Sequence, residues 1–130
     1  MNQGAARILL VDDEPSLLRM MGAYLGRLGY SVTLANSTEE AWAEVEAAPS
    51  GYAIAVLDGS MPGLSMEELA LKMLRANPSM CVVAASGYSM DTTAIEAAAP
   101  GRVVVLQKPF APEMLAAAVR RMLAAQEKKL

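Results

Sequence analysis

Five short apolar runs punctuate the chain: Arg7–Val11, Tyr30–Leu34, Tyr52–Leu57, Met80–Ala85 and Val103–Leu106. They show little polar alternation, the pattern of strands buried on both faces. Between them the apolar period changes to three and four. Leu17, Leu18, Met21, Leu25 and Leu28 follow Pro15 and stop at Gly29, a helix with its terminator. Asn36, Ser37 and Thr38 are candidate caps for a second helix reaching about Ala48, with Glu39 and Glu40 in its first turn. A third helix starts near Ser65 and ends before Pro78, and a fourth spans Asp91–Ala99. The fifth opens at Pro112, carries Leu115, Val119, Met122 and Leu123, and gives way to a polar fraying end over Gln126–Leu130.

Strand and helix alternating in this way imply right-handed crossovers and a parallel sheet covered on both faces. Five βα units are too few to close an eight-fold barrel. The fold class that remains is α/β, a (βα)5 doubly wound open sheet in strand order 2-1-3-4-5. The 130 residues, 54% of them hydrophobic, suffice for one well-buried domain. No apolar run approaches the ~20 residues of a membrane span, and the N-terminus lacks a secretory signal. A cytoplasmic protein without membrane contact is expected.

In such sheets ligands bind at the carboxyl ends of the strands. After the first strand come Asp12, Asp13 and Glu14; after the third, Asp58; after the fourth, Ser86; after the fifth, Lys108. Each has an ordinary reading alone: the Asp pair as a helix cap, Asp58 and Ser86 as turn residues, Lys108 as a solvated lysine. Their joint placement on one edge is much harder to obtain by accident. The first and third strands are neighbours in this order, so three carboxylates should converge. Left alone they would repel and their pKa values would rise. Mg²⁺ prefers oxygen ligands and commonly bridges to phosphate, so a phosphoryl group between metal and Lys108 is the natural guest. Asp58 is the candidate nucleophile.

Composition narrows the chemistry further. There is no histidine, which removes Ser-His-Asp triads, Cys-His pairs and His-based zinc sites, and the chain cannot itself be a phosphohistidine donor. The net charge of −3 and the lack of clustered Lys and Arg argue against nucleic-acid binding. The single Cys81 reads as a small core residue, Trp42 as core, and the ten methionines as replacements for Leu on helix faces. The Glu39-Glu40 and Lys128-Lys129 pairs read as solvated.

Four segments together resemble the response-regulator receiver family of two-component phosphorelays, over about residues 6–125. They are Ile8–Pro15 (ILLVDDEP), Leu57–Gly63 (LDGSMPG), Ala85–Tyr88 (ASGY) and Leu106–Phe110 (LQKPF). The resemblance implies a flavodoxin-like three-layer sandwich, with 1–5 and 126–130 as flexible termini. It implies that Asp58 is phosphorylated and that Asp13, Asp58 and the Ser60 carbonyl bind Mg²⁺, with Asp12 acting through a water. Lys108 would pair with the phosphoryl oxygens, Ser86 would hydrogen-bond one of them, and the Lys108–Pro109 bond would be cis. A histidine kinase or phosphotransfer protein would be the donor, and the LQKPF segment looks most like receivers attached to hybrid histidine kinases. Oligomeric state is not implied.

Two positions depart from the family pattern. Met66 stands where a glycine often follows the Met-Pro loop, so that loop is expected to be shaped differently. Val105 stands where many members have Phe or Tyr, so no aromatic ring can swing inward, and the loop bearing Tyr88 is expected to carry the signal. The alternatives are a pseudo-receiver interaction module, which would lack Asp58 or Lys108, and a Mg²⁺-dependent phosphohydrolase, which usually has a second acid and a cap. Ser60 and Tyr88 are expected to flank the path of the water that hydrolyses an acyl phosphate. Tyr88→Ala should therefore speed dephosphorylation; an unchanged or slower rate would reject that role.

Overall fold

The computed structural model describes residues 6–48, 51–58, 65–87 and 92–128. Along the chain run β1 (Arg7–Val11), α1 (Pro15–Arg27), β2 (Ser31–Ala35), α2 (Thr38–Ala47), β3 (Ile54–Asp58), α3 (Met66–Ala76), β4 (Cys81–Ser86), α4 (Thr93–Ala98), β5 (Val103–Gln107) and α5 (Pro112–Lys128). The strands form one sheet in the order β2-β1-β3-β4-β5, and all four pairings are parallel. The expected topology is therefore present. No helix among the described residues is long and apolar enough to cross a membrane.

The pleat sorts side chains onto two faces. Leu9, Val11, Ala55, Leu57, Val82 and Ala84 point to one side, where α2, α3 and α4 cover them. Ile8, Leu10, Ile54, Val56, Cys81 and Val83 point to the other, beneath α1 and α5. Burial on both sides is why the central strands read as unbroken apolar runs. Register then aligns the strand ends. Val11 lies opposite Ala35 and Leu57, Asp58 opposite Ala85, and Ser86 opposite Gln107, so Asp12, Asp58, Ser86 and Lys108 emerge along one edge.

Several boundaries move from their expected places, each for a local reason. Tyr30 is outside β2, because the turn after α1 takes it: its N–H donates to the Leu25 carbonyl at 3.3 Å while Gly29 sits at φ 103°. Tyr52 precedes β3; its ring is buried and its hydroxyl donates to Glu44 at 2.8 Å. Ser86 belongs to β4 rather than following it, and α4 is shorter than Asp91–Ala99. Met66 needs no unusual backbone: it is the first residue of α3, buried, behind a capping box of Ser65 and Glu68. Glu40 is not merely solvated, since its carboxylate accepts from Asn36 N–H at 2.7 Å. Trp42 is half-buried against the core, with the Lys72 ammonium 4.6 Å from its ring centroid.

The opposite, amino-terminal edge of the sheet is held by side chains that bind backbone carbonyls. Asn77 is buried and donates to Tyr52 O at 2.9 Å. Arg102 donates to Met80 O and Asn77 O, both at 2.8 Å, and to Leu74 O at 3.3 Å. Gln126 donates to Ala53 O and Ser79 O. The Gln126 side chain thus ties the end of α5 to the sheet, and the helix persists to Lys128 where a polar fraying end was expected. Arg102→Ala removes the guanidinium donors of three carbonyls, of which Asn77 O keeps the Met80 N–H at 3.1 Å. It should lower the unfolding free energy by about 2 kcal/mol, seen as a lower urea midpoint at unchanged slope.

Candidate functional site

Three aspartates meet at the carboxyl edge. Asp12 follows β1 and its backbone N–H still donates to the Ala35 carbonyl at 3.1 Å, which holds the loop against β2. Its Oδ1 accepts from Glu14 N–H at 2.9 Å; it is not the cap of α1, whose N-cap is Glu14 without a side-chain bond. Asp13 is exposed, whereas Asp12 and Asp58 are only 4% and 7% exposed. Carboxylate oxygens of all three lie within 4.8 Å of one another.

A lysine answers them from just past β5. Lys108 Nζ donates to Asp58 Oδ1 at 3.0 Å. The backbone N–H of Lys108 donates to the Ser86 carbonyl at 2.7 Å, and the Lys108–Pro109 peptide is cis. The lysine is therefore anchored to the end of β4 while its ammonium spans to the end of β3. Ser86 itself is buried. Asp12, Asp13, Asp58, Ser86 and Lys108 are thus brought together as the sequence implied. Ser60 and Tyr88 lie outside the described residues. Val105 is on the exposed edge of the sheet, opposite Ala84 on β4. Leu17 and Phe110 were not read as part of the site, yet with Lys108 and Pro109 they line a depression beside it. Leu17 carried only the helical-stripe signal, which says nothing about which end of the sheet it flanks.

The electrostatics favour a cation. Burial pushes the Asp12 carboxyl above its ordinary value; the Glu14 N–H opposes this, and the nearby Asp58 charge adds to the rise. One ammonium faces three carboxylates. Oxygens on opposite sides of an octahedral Mg²⁺ are about 4.2 Å apart, so three oxygens within 4.8 Å of one another are gathered close to the span of one ion's ligand shell. The all-oxygen donor set, without a described His or Cys at the site, fits a hard divalent ion.

Comparisons with known proteins bear on the family and the fold. The family model described as response regulator receiver domain matches residues 8–120. The C4-dicarboxylate transport transcriptional regulatory protein DctD of Rhizobium meliloti is 30% identical over 96% of this chain, and the sensor kinase CckA of Brucella abortus is 34% identical over 95%. The chain spans only 26% and 13% of those proteins' lengths. A CheY-like response regulator receiver domain of Methanospirillum hungatei superposes with a TM-score of 0.85 at 26% identity, covering 98% of this chain and 100% of that one.

Because the native state raises the Asp12 pKa, folding favours its protonated form. The metal-free protein should lose stability as pH rises through the elevated Asp12 titration, and Mg²⁺ affinity should rise over the same range. Asp12→Asn keeps an acceptor for Glu14 N–H and removes one charge. It should raise the melting temperature of the metal-free protein by a few degrees, about 1 kcal/mol, flatten the pH dependence and weaken Mg²⁺ binding. Thermal melts across pH, with and without Mg²⁺, test this.

Proposed function

The chain belongs to the response regulator receiver domain family, and from that premise we propose that Asp58 accepts a phosphoryl group from a phosphohistidine on a partner histidine kinase or phosphotransfer protein. An Asp58 carboxylate oxygen forms the new P–O bond as the donor's P–N bond breaks, and the imidazole leaves with the electron pair and takes a proton from solvent. Lys108 places positive charge against the equatorial oxygens of the transferring group, and the Ser86 hydroxyl supplies a hydrogen bond to one of them. Asp12, Asp13 and Asp58 would hold Mg²⁺, which neutralises the charge that otherwise keeps an anion away from an acidic pocket. The Ser60 carbonyl belongs to the same proposed ligand set.

The observation that carries this reading is the 3.0 Å contact of Lys108 Nζ with Asp58 Oδ1 inside the three-aspartate cluster. A carboxylate, a cation and a metal-competent acid pair converge where a phosphoryl group can touch all of them. We read the domain as a cytoplasmic signalling module that gains and loses its own phosphoryl group, not as an enzyme acting on an outside metabolite. The modified state would shift a two-state equilibrium and alter partner binding. Pro109, Tyr88 and Val105 are the positions through which we expect that shift to reach the surface. The matched relatives include both a transcriptional regulator and a sensor kinase, so attachment to a hybrid kinase is one of two settings consistent with the family.

With Mg²⁺ and a small-molecule acyl phosphate, intact mass should show one added phosphoryl group, absent in Asp58→Asn and after chelation of the metal. Lys108→Ala should slow its appearance by about 100-fold, the usual loss on removing one preorganised electrostatic group. Turnover of the acyl phosphate with no adduct on Asp58 would instead indicate a phosphohydrolase.

A further inference from the structure

β2 ends the sheet on the side away from β5, and an edge strand carries one row of backbone groups with no strand to pair with. Ser31 N–H donates to Ala6 O, and Ala35 O accepts from Asp12 N–H, both on the β1 side. Backbone groups alternate sides along a strand, so Val32 and Leu34 turn their N–H and C=O groups outward. Natural edges are commonly blunted by charge, proline or a bulge. Ser31–Ala35 has neither charge nor proline, its register with β1 is unbroken, and Leu34 is 39% exposed.

Over this edge lies one flank of α1. Val32 and Leu34 share a groove with Arg19, Gly22 and Ala23. A Cβ on Gly22 would stand 2.9 Å from Leu34 Cδ2, and Ala23 adds only a methyl, so the helix leaves the space above the edge open. Arg19, Ala23 and Arg27 are spaced four apart along α1 and all three are exposed, so they form one stripe with a base at either end and a small residue midway. From Pro15 to Gly29 the chain has no acid, and among the described residues neither arginine is in a salt bridge.

The spacing of these charges says what covers the edge. Two turns and a little more of helix separate the arginines by about 12 Å along the axis. Residues i and i+4 of an extended chain are about 13 Å apart and point to the same face. A strand added to β2 therefore sets acids at i and i+4 against Arg19 and Arg27, with an apolar residue at i+2 over Ala23 and Leu34. The pattern reads the same in both directions, so either strand direction fits. A second copy of this chain does not fit. Antiparallel pairing of two β2 edges lays the α1 helices side by side and turns Arg19 of one copy toward Arg27 of the other, and like charges so placed oppose the contact.

We propose that β2 accepts, by strand addition, an extended segment of a partner protein with the pattern acid–x–apolar–x–acid. Backbone bonds to Val32 and Leu34 supply the attraction, and the two arginine–carboxylate pairs chiefly select the sequence. One short strand buries little area, so the contact is weak on its own. It does not depend on chemistry at Asp58.

The probe is a capped synthetic peptide, Thr-Glu-Thr-Val-Thr-Glu-Thr, titrated at low salt into the full chain and followed by fluorescence anisotropy and amide hydrogen exchange. It should bind and, at saturation, slow exchange of the Val32 and Leu34 amides by at least about tenfold. The same peptide with both Glu replaced by Lys should bind about tenfold more weakly. Arg19→Glu with Arg27→Glu should reverse that preference, and Arg19→Gln with Arg27→Gln should erase it. The proposal is overturned if the acidic peptide does not bind, if it binds without protecting those two amides, or if both double variants keep the wild-type preference. It is equally overturned if the two amides become protected with rising protein concentration in the absence of peptide, the mark of a second copy on this edge.

Discussion

The contact between Lys108 Nζ and Asp58 Oδ1 is where the architecture and the chemistry of this chain meet. It joins residues fifty positions apart, one ending β3 and the other just past β5, with β4 between those strands in the sheet. The lysine reaches across because its own backbone N–H is fastened to Ser86 at the end of that intervening strand. Without it, the edge would present three carboxylates with no described cation among them, two of them almost wholly buried, an arrangement that desolvation and like-charge repulsion both oppose. With it, the edge keeps an all-oxygen cluster that could hold a metal ion, with a cation placed beside it.

The two edges of the sheet are built on opposite principles. At the amino-terminal edge, Asn77, Arg102 and Gln126 spend their donors on backbone carbonyls of the segments entering β3 and β4. These side chains add donors to edge carbonyls, two of which, Ala53 O and Asn77 O, also accept a backbone N–H, and the edge becomes a clamp. At the carboxyl edge, polar side chains face one another, Asp12, Asp58 and Ser86 buried and Asp13 exposed, and α4 contributes only Ile95 from its six residues to the buried core. Few buried contacts give an element low local stability. Side-chain bonds to backbone carbonyls thus gather at the edge away from the acidic cluster.

Much of this was legible from the residues in order. The unbroken apolar runs announced doubly buried strands, and the alternation with helical periods announced the parallel sheet. The strand-end rule then points to Asp12, Asp13, Asp58, Ser86 and Lys108. What escaped was of two kinds. Strand starts at Tyr30 and Tyr52 were misplaced because aromatic residues favour strands in general, while here a helix-terminating turn and a hydroxyl partner on Glu44 claimed them. Side-chain partners across long sequence separations, such as Gln126 with Ala53 and Ser79, leave no periodic trace, so the last turn of α5 looked like a polar tail.

The amino-acid sequence by itself determined the order and type of the elements, the face each apolar residue would seek, and which residues would sit at strand ends. These follow from local conformational preference and from hydrophobic periodicity, both written in consecutive positions. Only the tertiary structure decided that Lys108 spans to Asp58 by way of Ser86, and that Leu17 and Phe110 flank the site. Those are consequences of strand register and of side-chain reach in three dimensions, and neither is carried by any single stretch of chain.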